Sequence, residues 1–203
     1  MSHTHEPAKN PARAAVVTGA TSGIGRATAH AFAERGASVV LAARRLPMLE
    51  EAARECEALG GQALAVQTDV TREDQVEELG RRALERFGRI DVWFNNAGLA
   101  VFGRIESVPS DAWRRVIETN VFGYYHGAKV AMRRFRAQGH GTLVQNASIV
   151  GRTAKPDGSA YAASKFAVRG FSEALRQEGA SVVFVAVDDA LAGLIAIADP
   201  IKS

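Results

Sequence analysis

The chain has 203 residues, of which 47% are hydrophobic, and a formal net charge of +3. This is enough for one α/β domain with a sizeable core, and the dispersed charges give no basic stripe for nucleic acid or a membrane surface. A single cysteine, Cys56, excludes an internal disulfide and a cysteine-based zinc site, and no apolar run is long enough to span a bilayer.

Residues 1–13 are polar, with His3, His5 and two prolines, and lack the apolar core of a signal peptide. They read as a disordered tail of a cytoplasmic protein. Strand-like runs then fall at 14–18, 38–42, 63–68, 91–94, 142–147 and 181–187. Helical patterns lie between them, at 25–35, 46–59, 71–87, 110–138 and 159–177. This alternation predicts right-handed βαβ units and a doubly wound parallel sheet with helices on both faces, a Rossmann fold. Ligands of such sheets bind beyond the carboxyl ends of the strands, and Gly19, Asn95 and Ser148 all follow strand ends. No repeat, low-complexity tract or linker interrupts 14–178, which is expected to be one catalytic domain.

After the first strand comes Thr18-Gly19-Ala20-Thr21-Ser22-Gly23-Ile24-Gly25, immediately before a helical pattern. Small residues there let the backbone approach a pyrophosphate, and the helix N-terminus offers free N–H groups. The other reading is a tight turn with no ligand. The second strand ends in Leu41-Ala42-Ala43-Arg44-Arg45, with no acidic residue to accept from a ribose hydroxyl. Arg44 offers a planar fork to a 2′-phosphate and Arg45 a second charge, which favours NADP over NAD; alternatively both are solvated at a helix start.

Tyr161 and Lys165 stand four residues apart in a helical pattern and so share a face, with Ser148 thirteen residues before the tyrosine. A phenol with a pKa of about 10 is a poor acid–base group at neutral pH. A neighbouring ammonium lowers that value and makes general acid–base work feasible. Alone, such a spacing usually means only an exposed helical pair.

Together these residues resemble the short-chain dehydrogenase/reductase family over about 14–178. The T-G-x-x-x-G-x-G turn is Thr18 to Gly25, and the N-N-A-G block is Asn95-Asn96-Ala97-Gly98. The family's active-site asparagine, serine, tyrosine and lysine fall on Asn120, Ser148, Tyr161 and Lys165. The resemblance implies a cofactor bound by Thr18, Gly19, Ser22, Gly23, Ile24 and Gly25 in the turn. It adds Arg44, Arg45, Asp69 and Val70 after the second and third strands, then Asn96, Ala97 and Gly98, with Tyr161 and Lys165 at the nicotinamide end. Asp69 meets the adenine amino group in that picture, or it caps the following helix.

The resemblance also implies that Tyr161 exchanges a proton with a carbonyl or secondary alcohol, that Ser148 holds its oxygen, and that Lys165 lowers the Tyr161 pKa and contacts the ribose. Asn120 would hold a relay water. Relatives form dimers or tetramers, here expected through helices 110–138 and 159–177. No metal site is expected: His30 and His126 are isolated and read as packing or surface residues. Arg133, Arg134 and Arg136 read as a solvated helix end.

Residues 179–203 depart from this pattern, because no Pro-Gly turn or substrate-covering segment is recognisable. They resemble instead a short stretch of heavy-metal P-type ATPases, without the phosphorylation motif, metal-binding cysteines or membrane helices of transport. Residues 181–187 can still supply a sixth strand and 191–198 a further strand or short helix. Two readings remain open: an NADP-dependent oxidoreductase, or a catalytically impaired, truncated or fused NADP-binding protein lacking the substrate lid.

Overall fold

The computed structural model describes residues 13–188 and 191–193. The tail expected at 1–13 therefore lies outside the described residues except for Arg13, as do 194–198 of the expected C-terminal element. Six strands are parallel: β1 (Ala14–Thr18), β2 (Ser38–Ala43), β3 (Gln62–Gln67), β4 (Val92–Asn95), β5 (Thr142–Ala147) and β6 (Val182–Asp188). A three-residue strand, β7 (Leu191–Gly193), adds antiparallel to β6. The order is β3-β2-β1-β4-β5-β6-β7. The chain winds outward from β1 to β3, then returns to pair β4 with β1. That reversal opens a crevice at the carboxyl ends of β1 and β4, where doubly wound sheets bind ligands.

Six α-helices cover the sheet: α1 (Gly23–Ala33), α2 (Leu46–Ala58), α3 (Glu73–Phe87), α4 (Ser110–Ile117), α5 (Gly123–Gln138) and α6 (Ser159–Gln177). The central strands are apolar throughout because both their faces are covered. Side chains alternate across the sheet. Val17, Val39, Leu41 and Phe94 pack against Ala29 of α1 and Leu49 and Cys56 of α2. Val16, Val40, Trp93 and Leu143 pack on the opposite face against Leu79 of α3 and Val130 of α5, joined at the edge by Phe171 and Leu175 of α6. Each such fully buried aliphatic side chain stabilises the fold by roughly 1.5–3 kcal/mol. α3 carries Glu73 and Asp74 in its first turn and Arg86 in its last, complementing the helix dipole.

The expected strands match within one residue at either end. The helix expected at 110–138 is continuous but carries a π turn (Glu118–Phe122) between α4 and α5. Its wider turn carries Asn120 inward to bond two other segments, a demand that apolar periodicity does not record. Among the described residues no helix is long and apolar enough to cross a membrane.

Candidate active site

The turn after β1 leads directly into α1. Ser22 precedes the helix with extended backbone and makes no side-chain capping bond, and α1 has no acidic residue in its first turn. Gly23 has φ +53, and a Cβ placed on it would meet nothing within 4 Å, so bare backbone faces open space there. Gly25 is different in kind. A Cβ there would fall 2.3 Å from the Gly19 carbonyl oxygen, so this glycine lets the helix sit against the turn. An uncrowded helix N-terminus with free N–H groups and a free hydroxyl suits a dinucleotide diphosphate.

A cleft of about 430 Å³ opens from this turn. Gly19, Ser22 and Ile24 line it together with Asn96, Ala97 and Gly98. Arg44, Arg45, Asp69 and Val70 line it as well. Thr18, Gly23 and Gly25 do not line it. Thr18 laces β1 to β4: its hydroxyl donates to the Phe94 carbonyl (3.3 Å) and accepts from the Asn96 and Ala97 N–H groups at 2.9 and 3.1 Å. Asp69 has a structural duty as well, since its Oδ1 accepts from the Thr71 N–H and hydroxyl at 3.0 and 2.8 Å. Arg115 and Thr119, on α4 and the π turn, line the cleft too. Nothing in the sequence around them marks them for that place.

A second cavity of about 510 Å³ adjoins the first and holds Ser148, Tyr161 and Lys165. Asn96, Gly98, Leu99 and Asn146 border both spaces. Lys165, one helical turn after Tyr161, is 3% exposed. Its Nζ donates to the Asn146 carbonyl at 2.7 Å and to the Tyr124 hydroxyl at 3.4 Å. It also lies 5.0 Å from the Tyr124 ring centroid and 5.5 Å from that of Tyr161. Tyr124 and Asn146 are functional neighbours that sequence reading missed. Tyr124 stands among similar aromatics, and Asn146 sits mid-strand without a motif.

Burial lowers the Lys165 pKa to about 8, and nothing offsets it. Burial raises that of Tyr161, and the approach of the Ser148 hydroxyl opposes the rise. The expected lowering of the Tyr161 pKa by Lys165 is thus absent from the protein alone: the ammonium is turned to Asn146 and Tyr124, and desolvation dominates.

Asn120 borders neither cavity. Fully buried, it accepts from the Leu99 N–H at 2.9 Å and donates to the Leu99 carbonyl (2.8 Å) and the Ser164 hydroxyl (3.0 Å). Ser164 in turn donates to the Tyr161 carbonyl at 2.7 Å. The side chain of Asn120 therefore ties the loop after β4 to the helix bearing Tyr161. His30 pairs with Glu55, and the His126 ring lies 2.9 Å from the Val70 carbonyl, both packing roles. Arg133 and Arg136 pair with Glu77 and Glu178 at the surface.

Known proteins share this architecture. The chain is 39% identical over 165 residues to the uncharacterized oxidoreductase Lmo0432 of Listeria monocytogenes, covering 81% of this chain and 66% of that protein. Two crystal structures superpose closely, each 34% identical and covering 86% of this chain. A short chain dehydrogenase/reductase from Burkholderia phymatum in complex with NAD has a TM-score of 0.81 and is covered over 64% of its length. A metagenomic short-chain oxidoreductase in complex with NADP has a TM-score of 0.79 and is covered over 81%. The chain spans about two thirds of the length of the curated relatives it matches. The sequence model of the short chain dehydrogenase family matches residues 13–197, and with this fold and these neighbours the chain belongs to that family.

Proposed function

We propose that the protein is an NADP-dependent oxidoreductase interconverting a carbonyl and a secondary alcohol, with Tyr161 as the general acid–base. The observation that carries this reading is the meeting of two cavities at Asn96 and Asn146, one suited to a dinucleotide and the other holding Ser148, Tyr161 and Lys165. A bound nicotinamide supplies or takes the hydride. In reduction, negative charge develops on the substrate oxygen, where the Ser148 hydroxyl donates a hydrogen bond and Tyr161 delivers its proton. Lys165 places a positive charge 5.5 Å from the Tyr161 ring centroid. Oxidation uses the same groups in reverse. Asn120 acts through Leu99 and Ser164 by fixing Tyr161 in place.

Arg44 and Arg45 in the lining of the cleft support NADP over NAD. Phe122, Tyr125 and Phe166 remain 53%, 49% and 45% exposed, which supports a homo-oligomer through the α4–α5 segment and α6. We read 14–178 as the dinucleotide-binding catalytic domain, 179–203 as an atypical C-terminal segment, and the protein as cytoplasmic. Titration with NADPH and NADH, followed by energy transfer from Trp93 and Trp113, tests the cofactor: NADPH is to bind tighter, and Arg44→Ala is to erase the difference. Tyr161→Phe is to abolish turnover while leaving NADPH binding intact. Saturable binding with no turnover of any ketone would identify instead a cofactor-binding protein without catalysis.

A further inference from the structure

The cavity of Tyr161 and Ser148 has an uneven chemistry. Leu99, Phe102, Ile149 and Val150 give it an apolar lining, and its charged side chains are Lys155 and Lys165, with no carboxylate among the residues that border it. Lys165 is engaged, buried against Asn146 and Tyr124. Lys155 is not. It is exposed, and none of the ion pairs among the described residues includes it.

Nor does Lys155 hang on a loose strap. It belongs to the segment between the short 3-10 turn (Ile149–Gly151) and α6, which is pinned across the cavity mouth. The Asp157 carbonyl accepts from the Gly103 N–H at 2.8 Å, and Asp157 itself takes the left-handed conformation with φ 59 that this close return needs. A Cβ on Gly158 would lie 3.8 Å from the Phe102 ring, so the segment passes close to Phe102. Phe102, 69% exposed, stands with its ring centroid 6.3 Å from that of Tyr161. An ammonium at the rim of a cavity bordered by no carboxylate among the described residues favours anions there.

Resting on the oxidoreductase reading above, we propose that the substrate is an oxo acid or its hydroxy acid, whose carboxylate pairs with Lys155 while its carbonyl or hydroxyl carbon sits at Ser148 and Tyr161. The carbon skeleton between the two ends lies against Phe102 and Ile149. One lysine is a single point charge, which matches a monoanion and offers no fork for a bidentate phosphate. The carboxylate takes no part in the redox step and adds no bond to its balance. It fixes which end of the molecule faces Tyr161, a contribution of orientation.

The test compares matched pairs of ketones, 4-oxopentanoate, 6-oxoheptanoate and 4-oxocyclohexanecarboxylate, each with its methyl ester, by kcat/KM with NADPH. The free acids are expected to be preferred by up to about fivefold, the range of an exposed ion pair. The preference is to shrink in 1 M salt, which screens such a pair. Lys155→Gln is to bring the acid-to-ester ratio to about one, and Lys155→Arg is to restore most of it. Esters reduced as well as acids, or a ratio unmoved by Lys155→Gln, would overturn the proposal and leave the oxidoreductase reading standing. No turnover of any acid or ester would overturn both.

Discussion

The ammonium of Lys165 lies 2.7 Å from the main-chain carbonyl of Asn146, whose side chain donates at 2.9 Å to Asn96. Asn96 in turn donates to the Thr18 carbonyl at 2.9 Å. A line of hydrogen bonds therefore runs from the Thr18–Gly25 turn to Lys165. Tyr124 closes this pocket from behind, with its ring 5.0 Å from Nζ.

Besides the Asn146 carbonyl, the buried Lys165 ammonium faces the ring and hydroxyl of Tyr124. Tyr124→Leu removes both, and the Lys165 pKa is expected to fall further below about 8. The alkaline limb of the kcat/KM profile for carbonyl reduction is to move down by about one pH unit, the effect of a desolvated cation–π contact. Tyr124→Phe keeps the ring and is to move it less. Superimposable profiles for wild type and Tyr124→Leu would remove Tyr124 from this role.

Stability should respond to pH in a narrow window. Burial lowers the Lys165 pKa to about 8, so above that pH the unfolded chain binds more protons than the folded one and stability rises. Burial pushes the Cys56 thiol the other way, up to about 11, so from its ordinary 9.0 upward the folded state holds the extra proton and stability falls. The Lys165 gain is therefore visible between pH 8 and 9, at about 1 kcal/mol. Urea unfolding at the two pH values measures it, and Lys165→Met is to flatten the difference. An equal rise in that variant would assign the effect elsewhere.

Gly25→Ala drives a methyl to 2.3 Å from the Gly19 carbonyl and 2.6 Å from the Asn96 amide. The turn must shift, at about 1–3 kcal/mol, and NADPH affinity is expected to drop at least about tenfold. Gly170→Ala, mid-α6 with nothing within 4 Å of the new methyl, is the control. It is to stabilise by about 0.5–1 kcal/mol. Calorimetry and cofactor titration separate the two, and a harmless Gly25→Ala would contradict the packing described here.

Asn120→Ala cuts three hydrogen bonds, two to Leu99 and one to Ser164. A loss of about 2–3 kcal/mol is expected from leaving these partners unpaired, together with slower turnover because Tyr161 is less well held. A change below about 0.5 kcal/mol in urea unfolding would show that the loop after β4 is fixed by other means.

Local signals were legible where one segment decides the outcome. β1, β5 and α6 coincide with their expected bounds, because unbroken apolar runs and a helical face depend on neighbours along the chain. The Thr18–Gly25 turn and the Tyr161–Lys165 spacing were readable for the same reason. The π turn between α4 and α5 was not: it answers to Leu99 and Ser164, which are 21 and 44 residues from Asn120.

The sequence by itself therefore determined the alternation of strands and helices, the glycine-rich turn after β1 and the shared helical face of Tyr161 and Lys165, since backbone pairing and side-chain period are short-range. Tertiary structure decided what those groups face. Only the return of the chain to lay β4 beside β1 puts Asn96 on the Thr18 carbonyl, 78 residues away. Only the packing of α5 under α6 sets Tyr124 behind Lys165, 41 residues away. Such contacts follow from strand order and helix placement, and a burial strong enough to move a lysine's pKa exists only once those layers have closed.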